Sequence, residues 1–470
     1  MRALALAAPL AMLSVAARAA VTISNDAMRN MSCSGGVCAP TATNAVLNAG
    51  DLETLLASGN VEVTTTGSDA EASDIAVKAP LTWSTAAVLA LDAHHAISVS
   101  RKIAVAGPGG LSLTTDGRRQ SLSLGPTGKV TFANLSGSLA VNGTTYTLEN
   151  TIASLAGAIA ANPSGAYALA ADYDASQCGT YTTVPIPTPF TGTFEGLGNA
   201  ISHLSIDDAS DTEVGLFAEV DSGGTLRDIS VLHASVSIST SDACVAPLVG
   251  WNYGNIIDAS ASGTATARNA CAGGLVGKIS GSAGTIMLSS SATKTSGGAA
   301  GGLVGGTLGG SIGQSFATGN VSATEFAGGL VGQGESSITN CYATGKAQVP
   351  KSHEAWVGGF GGELYGAGPS VTSSYSSGHV TGGSGGPNGT RGGFVGATDD
   401  TAFGSDYWDT TTSGVRRKGA GNEKGQQGLA GLTNMQLKSG LPEGFDPSIW
   451  GENPAINSGL PYLLANPPRS

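Results

Sequence analysis

A short glycine–apolar phrase returns along the second half of this chain at near-constant spacing. It reads GGLVG at Gly273–Gly277, Gly301–Gly305 and Gly328–Gly332, with looser copies VGLFA (Val214–Ala218), APLVG (Ala246–Gly250), GGFGG (Gly358–Gly362) and GGFVG (Gly392–Gly396). The central residues Leu216, Leu248, Leu275, Leu303, Leu330, Phe360 and Phe394 are separated by 32, 27, 28, 27, 30 and 34 positions. A period of roughly 20–50 residues marks a stacked architecture in which no single unit buries its own apolar face. These seven side chains are therefore expected to form one buried row.

A second phrase accompanies the first. It is clearest at Ser315–Val321 (SFATGNV), Cys341–Ala347 (CYATGKA) and Ser374–Val380 (SYSSGHV), with Ile312, Ile338 and Val371 three residues ahead of the Ser or Cys. Short alternations of apolar and small polar residues between glycine clusters read as strands and turns. No helical stretch within a unit is long enough to cross over. The expected fold is all-β, a right-handed parallel β-helix or β-solenoid with terminal caps, its rungs about 4.8 Å apart. Phe316, Tyr342 and Tyr375 share one repeat position and should stack. They would pack within the solenoid, with a sugar-binding stripe as the alternative.

The paired phrases resemble the GLUG repeat of bacterial surface proteins, a module also found beside the catalytic parts of immunoglobulin-A peptidases. Phe190–Ile206 (FTGTFEGLGNAISHLSI) is similar to the lead-in before such repeats. Tyr407–Asp409, Gly431–Gly451 and Leu460–Leu463 resemble their closing segment. Upstream, Leu56–Gly67 and Asp74–Thr115 are similar to coils of filamentous-haemagglutinin-type adhesins. The resemblance implies an exported surface protein and names no ligand.

Residues 1–19 read as a signal peptide: Arg2 is the positive start, Ala3 to Val15 the apolar core, and Ala17-Arg18-Ala19 the small-x-small cleavage site. No later stretch has the length and apolarity to span a bilayer, which takes about 20 residues. Gly numbers 71 of 470 residues and charged residues are only 12%, yet 41% are hydrophobic, which favours ordered β-structure over disorder. A net charge of −12 argues against nucleic acid as a partner. The basic knot Arg416-Arg417-Lys418 reads as a solvated turn.

Six cysteines suit an oxidising compartment. Cys33 and Cys38 could close a small loop. Cys244 and Cys271 each lie four residues before the aligned Leu of their repeat, so they should stack on neighbouring coils within disulfide reach. Cys178 and Cys341 have no evident partner, and free buried thiols are expected. No spacing suits zinc.

The chain is parsed as a signal peptide (1–19), an N-terminal cap or poorly ordered segment (20–50), haemagglutinin-like coils (51–150), a helical connector (151–165), the GLUG-repeat solenoid (166–408) and a C-terminal cap over the open end (409–470). Within the connector, Thr151–Ala161 is the best helix, with Ile152, Leu155 and Ile159 on one face and Asn162-Pro163-Ser164-Gly165 as its stop.

Catalytic signatures are broken. Gly382–Gly386 formally matches G-x-S-x-G but sits in a glycine-rich loop without the strand and helix of a nucleophile elbow. His353-Glu354 lacks its second His, since Val357 stands there. Gly277-Lys278 lacks the other residues of a phosphate loop. The acidic groups Asp172 with Asp174, Asp207 with Asp208 and Asp211, and Asp399 with Asp400 are the candidates for carbohydrate chemistry, and each also reads as turn chemistry.

The function expected is a non-catalytic, adhesin-like protein, exported to the outer surface of a bacterium or secreted. It would have no catalytic residues, cofactor or metal, and would attach to a host or neighbouring-cell glycan or protein. A dedicated outer-membrane transporter is the candidate export partner, because no self-transporting barrel or secretion domain is evident. The alternatives are a β-helix carbohydrate-active enzyme (lyase or hydrolase) and an accessory block of a larger surface protein.

Overall fold

The repeated glycines exist because neighbouring coils approach at backbone distance. A Cβ on the second glycine of each phrase, at Gly274, Gly302, Gly329 or Gly359, would overlap the carbonyl oxygen of Gly302, Gly329, Gly359 or Gly393 on the next coil. Leucine or phenylalanine then points inward. Leu216, Leu248, Leu275, Leu303, Leu330, Phe360 and Phe394 are all fully buried. Their amides run as a ladder, with Leu275 N donating to Leu303 O (2.9 Å), Leu303 N to Leu330 O (2.9 Å) and Leu330 N to Phe360 O (2.7 Å).

The computed structural model describes residues 20–67, 72–116, 121–351, 355–366, 368, 370–383, 390–423 and 425–468. The expected signal peptide, Ser384 to Gly386 of the G-x-S-x-G match and His353-Glu354 lie outside these residues. The chain is nearly all β, a parallel solenoid of about 13 turns with few helices. No helix among the described residues is long and apolar enough to cross a membrane. The chain divides into two compact units, residues 1–128 with 140–143 and residues 129–139 with 144–470.

In the first unit, parallel rungs place Val21, Ile75, Ile97 and Leu122 in one register, Val61, Leu89 and Leu111 in a second, and Leu81 with Ile103 in a third. All nine are buried. Residues 20–50 are ordered: Ala20–Ser24 pairs with both Val46–Asn48 and Asp74–Val77, and Met31–Ser34 forms a hairpin with Val37–Pro40. A helix, α1 (Ala49–Leu56), begins where strands were expected. Asn48 caps it by accepting from the amides of Gly50 and Asp51, and Ala49, Leu52 and Leu56 form its buried face.

In the second unit each coil is built of short strands joined by corners. At one corner Asp228, Asp258, Leu288, Gln314, Asn340, Ser373 and Ser405 all take positive φ, between 44° and 59°. That left-handed turn swings the following residue inward. In the later coils these inward residues are Ser289, Ser315, Cys341, Ser374 and Asp406, each fully buried. Their side chains receive the amides that the corner leaves unpaired: Ser289 N donates to Ser315 Oγ (3.1 Å), Cys341 N to Ser374 Oγ (3.1 Å) and Ser374 N to Asp406 Oδ1 (2.9 Å). The Ser or Cys of the second phrase is thus an internal polar ladder, and the aromatic after it points out.

Helix α2 (Ile152–Ala161) is capped by Thr151 and packs Ile152, Leu155 and Ile159 into the core of this unit. The C-terminal segment covers more than the open end. Leu429–Leu432 adds one further rung on Asp406–Asp409. After a short capped helix, α3 (Asn434–Leu437), the chain turns back along the side of the coils. Tyr407 Oη donates to Glu443 O, Tyr375 Oη to Pro461 O, Trp450 Nε1 to Asn340 Oδ1, and Asn466 Nδ2 to Ser289 O and Gln314 O. It acts as a lateral brace.

Candidate functional site

The brace decides the fate of the aromatic ladder. Phe316, Tyr342 and Tyr375 stack at 4.7 and 5.2 Å with nearly parallel rings. They are buried beneath Leu437, Phe445, Trp450, Leu460 and Leu463. Burial pushes the Tyr342 hydroxyl far up from its ordinary range. The ladder is packing, and no sugar can reach it.

The carboxylates are mostly occupied with local structure. Asp172 bonds Lys129 Nζ (2.7 Å) and the Ala200 amide (3.0 Å). Asp174 accepts from the Ser176 amide (3.0 Å) and meets His203 Nδ1 (2.9 Å), which hold its carboxyl below the usual range. Asp207 accepts from Ser237 Oγ (2.7 Å). Asp399 and Asp400 are exposed, Asp400 in a positive-φ turn.

Asp208 and Asp211 differ from the rest. Asp208 is buried and accepts from the amides of Ser210 (2.8 Å) and Asp211 (2.9 Å). Burial raises its carboxyl, but these hydrogen bonds outweigh it and the net direction is down. Asp211, half-buried, is raised by its side-chain hydrogen bond with Asp208 and by burial. Two neighbouring acids pushed in opposite directions is the arrangement from which acid–base pairs are made.

Sequence reasoning missed a second buried acidic cluster. Glu195 and Asp228 flank Arg227, whose Nε lies 3.8 and 3.9 Å from them. Burial raises both carboxyls, opposed by the arginine. At 4% and 5% exposure they face no substrate. Asp406, at the end of the internal ladder, is pushed up to about 8 by burial against the pull of two backbone amides.

The cysteines fall into three states. Cys33 is bonded to Cys38 across the hairpin, and Cys244 to Cys271 across adjacent coils with Cα atoms 4.6 Å apart. Cys341 is a buried free thiol pushed up to about 12 by burial. Cys178, expected buried, is exposed, with its sulfur 2.9 Å from Tyr173 Oη. It is the last residue of a one-turn helix, Ala175–Cys178, of which only Ala175 is buried. Lys278 lies on a strand with its Nζ 4.7 Å from the centre of the Trp251 ring, and no phosphate loop forms. Arg416 and Arg417 are exposed.

An open groove of about 490 Å³ lies on the outer face of the repeat coils. Ser296, Ser322, Gln348 and Thr381 line it in register on four successive coils, all half-buried. Gln348 Nε2 donates to Ser322 Oγ (3.2 Å). Ala323 and Val349 belong to the floor, and among the described residues Lys351 is the cation of the lining. Two residues beyond Thr324, another lining residue, the same strand carries Phe326, which stacks on Trp356 of the next coil at 4.9 Å and 9°. Both rings are half-buried. A usable signal lay in the sequence: Phe326 and Trp356 stand four residues before Leu330 and Phe360, the offset that singles out Cys244 and Cys271.

Comparison with known proteins places this groove in context. Residues 327–348, which run from the strand beside the groove to Gln348, match the model of the GLUG motif. Over 88 residues the chain is 39% identical to Halomucin of Haloquadratum walsbyi, a match spanning 19% of this chain and 1% of that protein. Among solved structures, "a putative immunoglobulin A1 protease from Bacteroides ovatus" is similar over 64% of this chain and 85% of its own, at 18% identity and a TM-score of 0.38. That likeness is too low to carry an activity or a residue role across. The chain is a β-solenoid bearing the GLUG motif, an arrangement that fits a surface repeat protein.

Proposed function

We propose that this chain works outside the cytoplasm as an attachment surface, exported and non-catalytic, binding glycan or protein on a neighbouring cell or matrix. The observation that carries the reading is the groove of in-register hydroxyl and amide side chains beside an outward aromatic pair, on coils whose rigidity comes from backbone-to-backbone packing. Repeated rows on a stiff rod favour multivalent contact with a repetitive partner. Two coil-to-coil and hairpin disulfides and a match to Halomucin support export. Binding of the purified chain to cells and to a glycan array, with bond cleavage assayed on the same samples, tests it. Binding without cleavage is expected; absence of binding to every surface would end the reading.

A second reading rests on Asp208 and Asp211. They are neighbouring carboxyls pushed in opposite directions, and this reading requires the turn that encloses Asp208, 1% exposed, to open to a substrate. Cleavage lost in both Asp208→Asn and Asp211→Asn would establish it in place of attachment alone.

A further inference from the structure

We infer that the groove built on Ser296, Ser322, Gln348 and Thr381, with the Phe326–Trp356 pair beside it, is a binding site for an uncharged polysaccharide lying along the stacking direction of the coils. The inference rests on the attachment reading and assigns it a place and a ligand chemistry.

Geometry sets the direction. The four polar side chains occupy one register position on successive coils, so they repeat at the rung spacing and span about 14 Å. An extended polymer along that line meets the same kind of contact at each step. A polymer crossing it would meet one residue of the row only.

Chemistry selects the ligand. Hydroxyl and amide side chains each donate and accept, as the hydroxyl groups of a sugar do. Gln348 and Ser322 already exchange such a bond, so a ligand hydroxyl has a formed pair to join. Among the described residues the lining offers Lys351 as its cation, and the chain carries a net charge of −12, which repels a polyanion. A neutral polyol is the class that remains.

The aromatic pair supplies the apolar part. One face of Phe326 lies against Trp356. On its other side the register partner is Ala299, preceded by Gly297 and Gly298, so that face looks onto a methyl group and bare backbone. The result is a flat apolar step next to hydroxyl and amide groups, which suits the C–H face of a pyranose ring.

The test uses the intact chain on immobilised neutral polysaccharides (β-glucan, mannan, xylan) and acidic ones (alginate, polygalacturonate), alongside whole cells. The prediction is binding to at least one neutral polymer, insensitive to salt. Trp356→Ala should weaken it about tenfold, and Gln348→Ala several-fold, with thermal melting of Gln348→Ala unchanged. Gln348→Ala keeps the test decisive if Trp356→Ala perturbs the coil. Neutral-polymer binding untouched by both variants would place the site elsewhere and leave attachment standing. Binding to acidic polymers alone, abolished by Lys351→Ala, would overturn the ligand assignment. Cell binding without any glycan binding would overturn the site but not attachment, and no binding to either would overturn both.

Discussion

The inner corner of the repeat coils and the outer row three residues ahead of it obey different rules. At the corner, Gly274, Gly302, Gly329 and Gly359 face the carbonyl of the next coil and leave no room for a Cβ. Along the outer row, Cys244, Cys271, Ala299, Phe326 and Trp356 follow one another in register with no common size or chemistry. What repeats is what the stacking requires, and what varies is what solvent or a partner meets. In a solenoid the recurring residues therefore report the fold, while the position that changes from coil to coil is where a function is written.

The sharpest way to break that contrast is Gly329→Ala. The added methyl meets backbone rather than a movable side chain, so the coils must separate and the variant should lose at least about 4 kcal/mol. Gly306→Ala is the control, since its nearest atom is Gln333 O at 3.9 Å and melting should barely change. Equal effects in the two variants would mean that the corner glycines are not close-approach positions.

Next in size is the covalent end of the outer row. Replacing Cys244 and Cys271 with Ser opens a 27-residue loop, for which the chain-entropy model gives about 3–4 kcal/mol. The loss should be local, visible by hydrogen exchange in the two bridged coils and not around Phe360 and Phe394. Non-reducing peptide mapping should recover Cys244 joined to Cys271, with Cys178 alkylated under native conditions and Cys341 only after unfolding.

Buried carboxyls give a smaller, pH-dependent effect. Glu195, Asp228 and Asp406 are all raised by burial, so the folded state holds their protons more tightly than the unfolded chain does. Their stabilisation is complete below the ordinary carboxylate range and is lost as pH rises toward about 8. Thermal melting should therefore be higher at pH 5 than at pH 8.5. Asp406→Ala should flatten that slope. A melting temperature that climbs between pH 5 and 8.5 would show these groups to be ionised in the fold.

The smallest stability effect belongs to the aromatic end of the row. Trp356→Ala should cost about 1 kcal/mol, because the ring is half-buried and loses one stacking partner. Its effect on binding, about tenfold, should persist at temperatures well below melting, where the variant is fully folded.

Much of the repeat unit could be read from spacing alone, because rung-to-rung contact turns sequence offset into distance. The buried leucine row, the stacking of Phe316 with Tyr342 and Tyr375, and the face of α2 all follow from counting. Where contacts leave the repeat, counting fails. The brace from Gly431 to Leu463 crosses several coils and has no period, so it read as an end cap. Helix α1 was hidden because it spans two turns and its cap, Asn48, lies in a polar stretch. Phe326 and Trp356 were legible by the cysteine offset, yet a half-buried pair on two coils leaves no pattern of its own. The environments of Asp208 and Asp211 depend on which amides a turn presents, and no sequence spacing encodes that.

The most direct test of the attachment account is one incubation of the purified chain with a neutral polysaccharide it binds, followed by assays for retained protein and for new chain ends. The account predicts retention that falls in Trp356→Ala and Gln348→Ala, with no new ends above the buffer control. New ends that disappear in Asp208→Asn or Asp211→Asn, while retention persists, would contradict it and make the chain an enzyme.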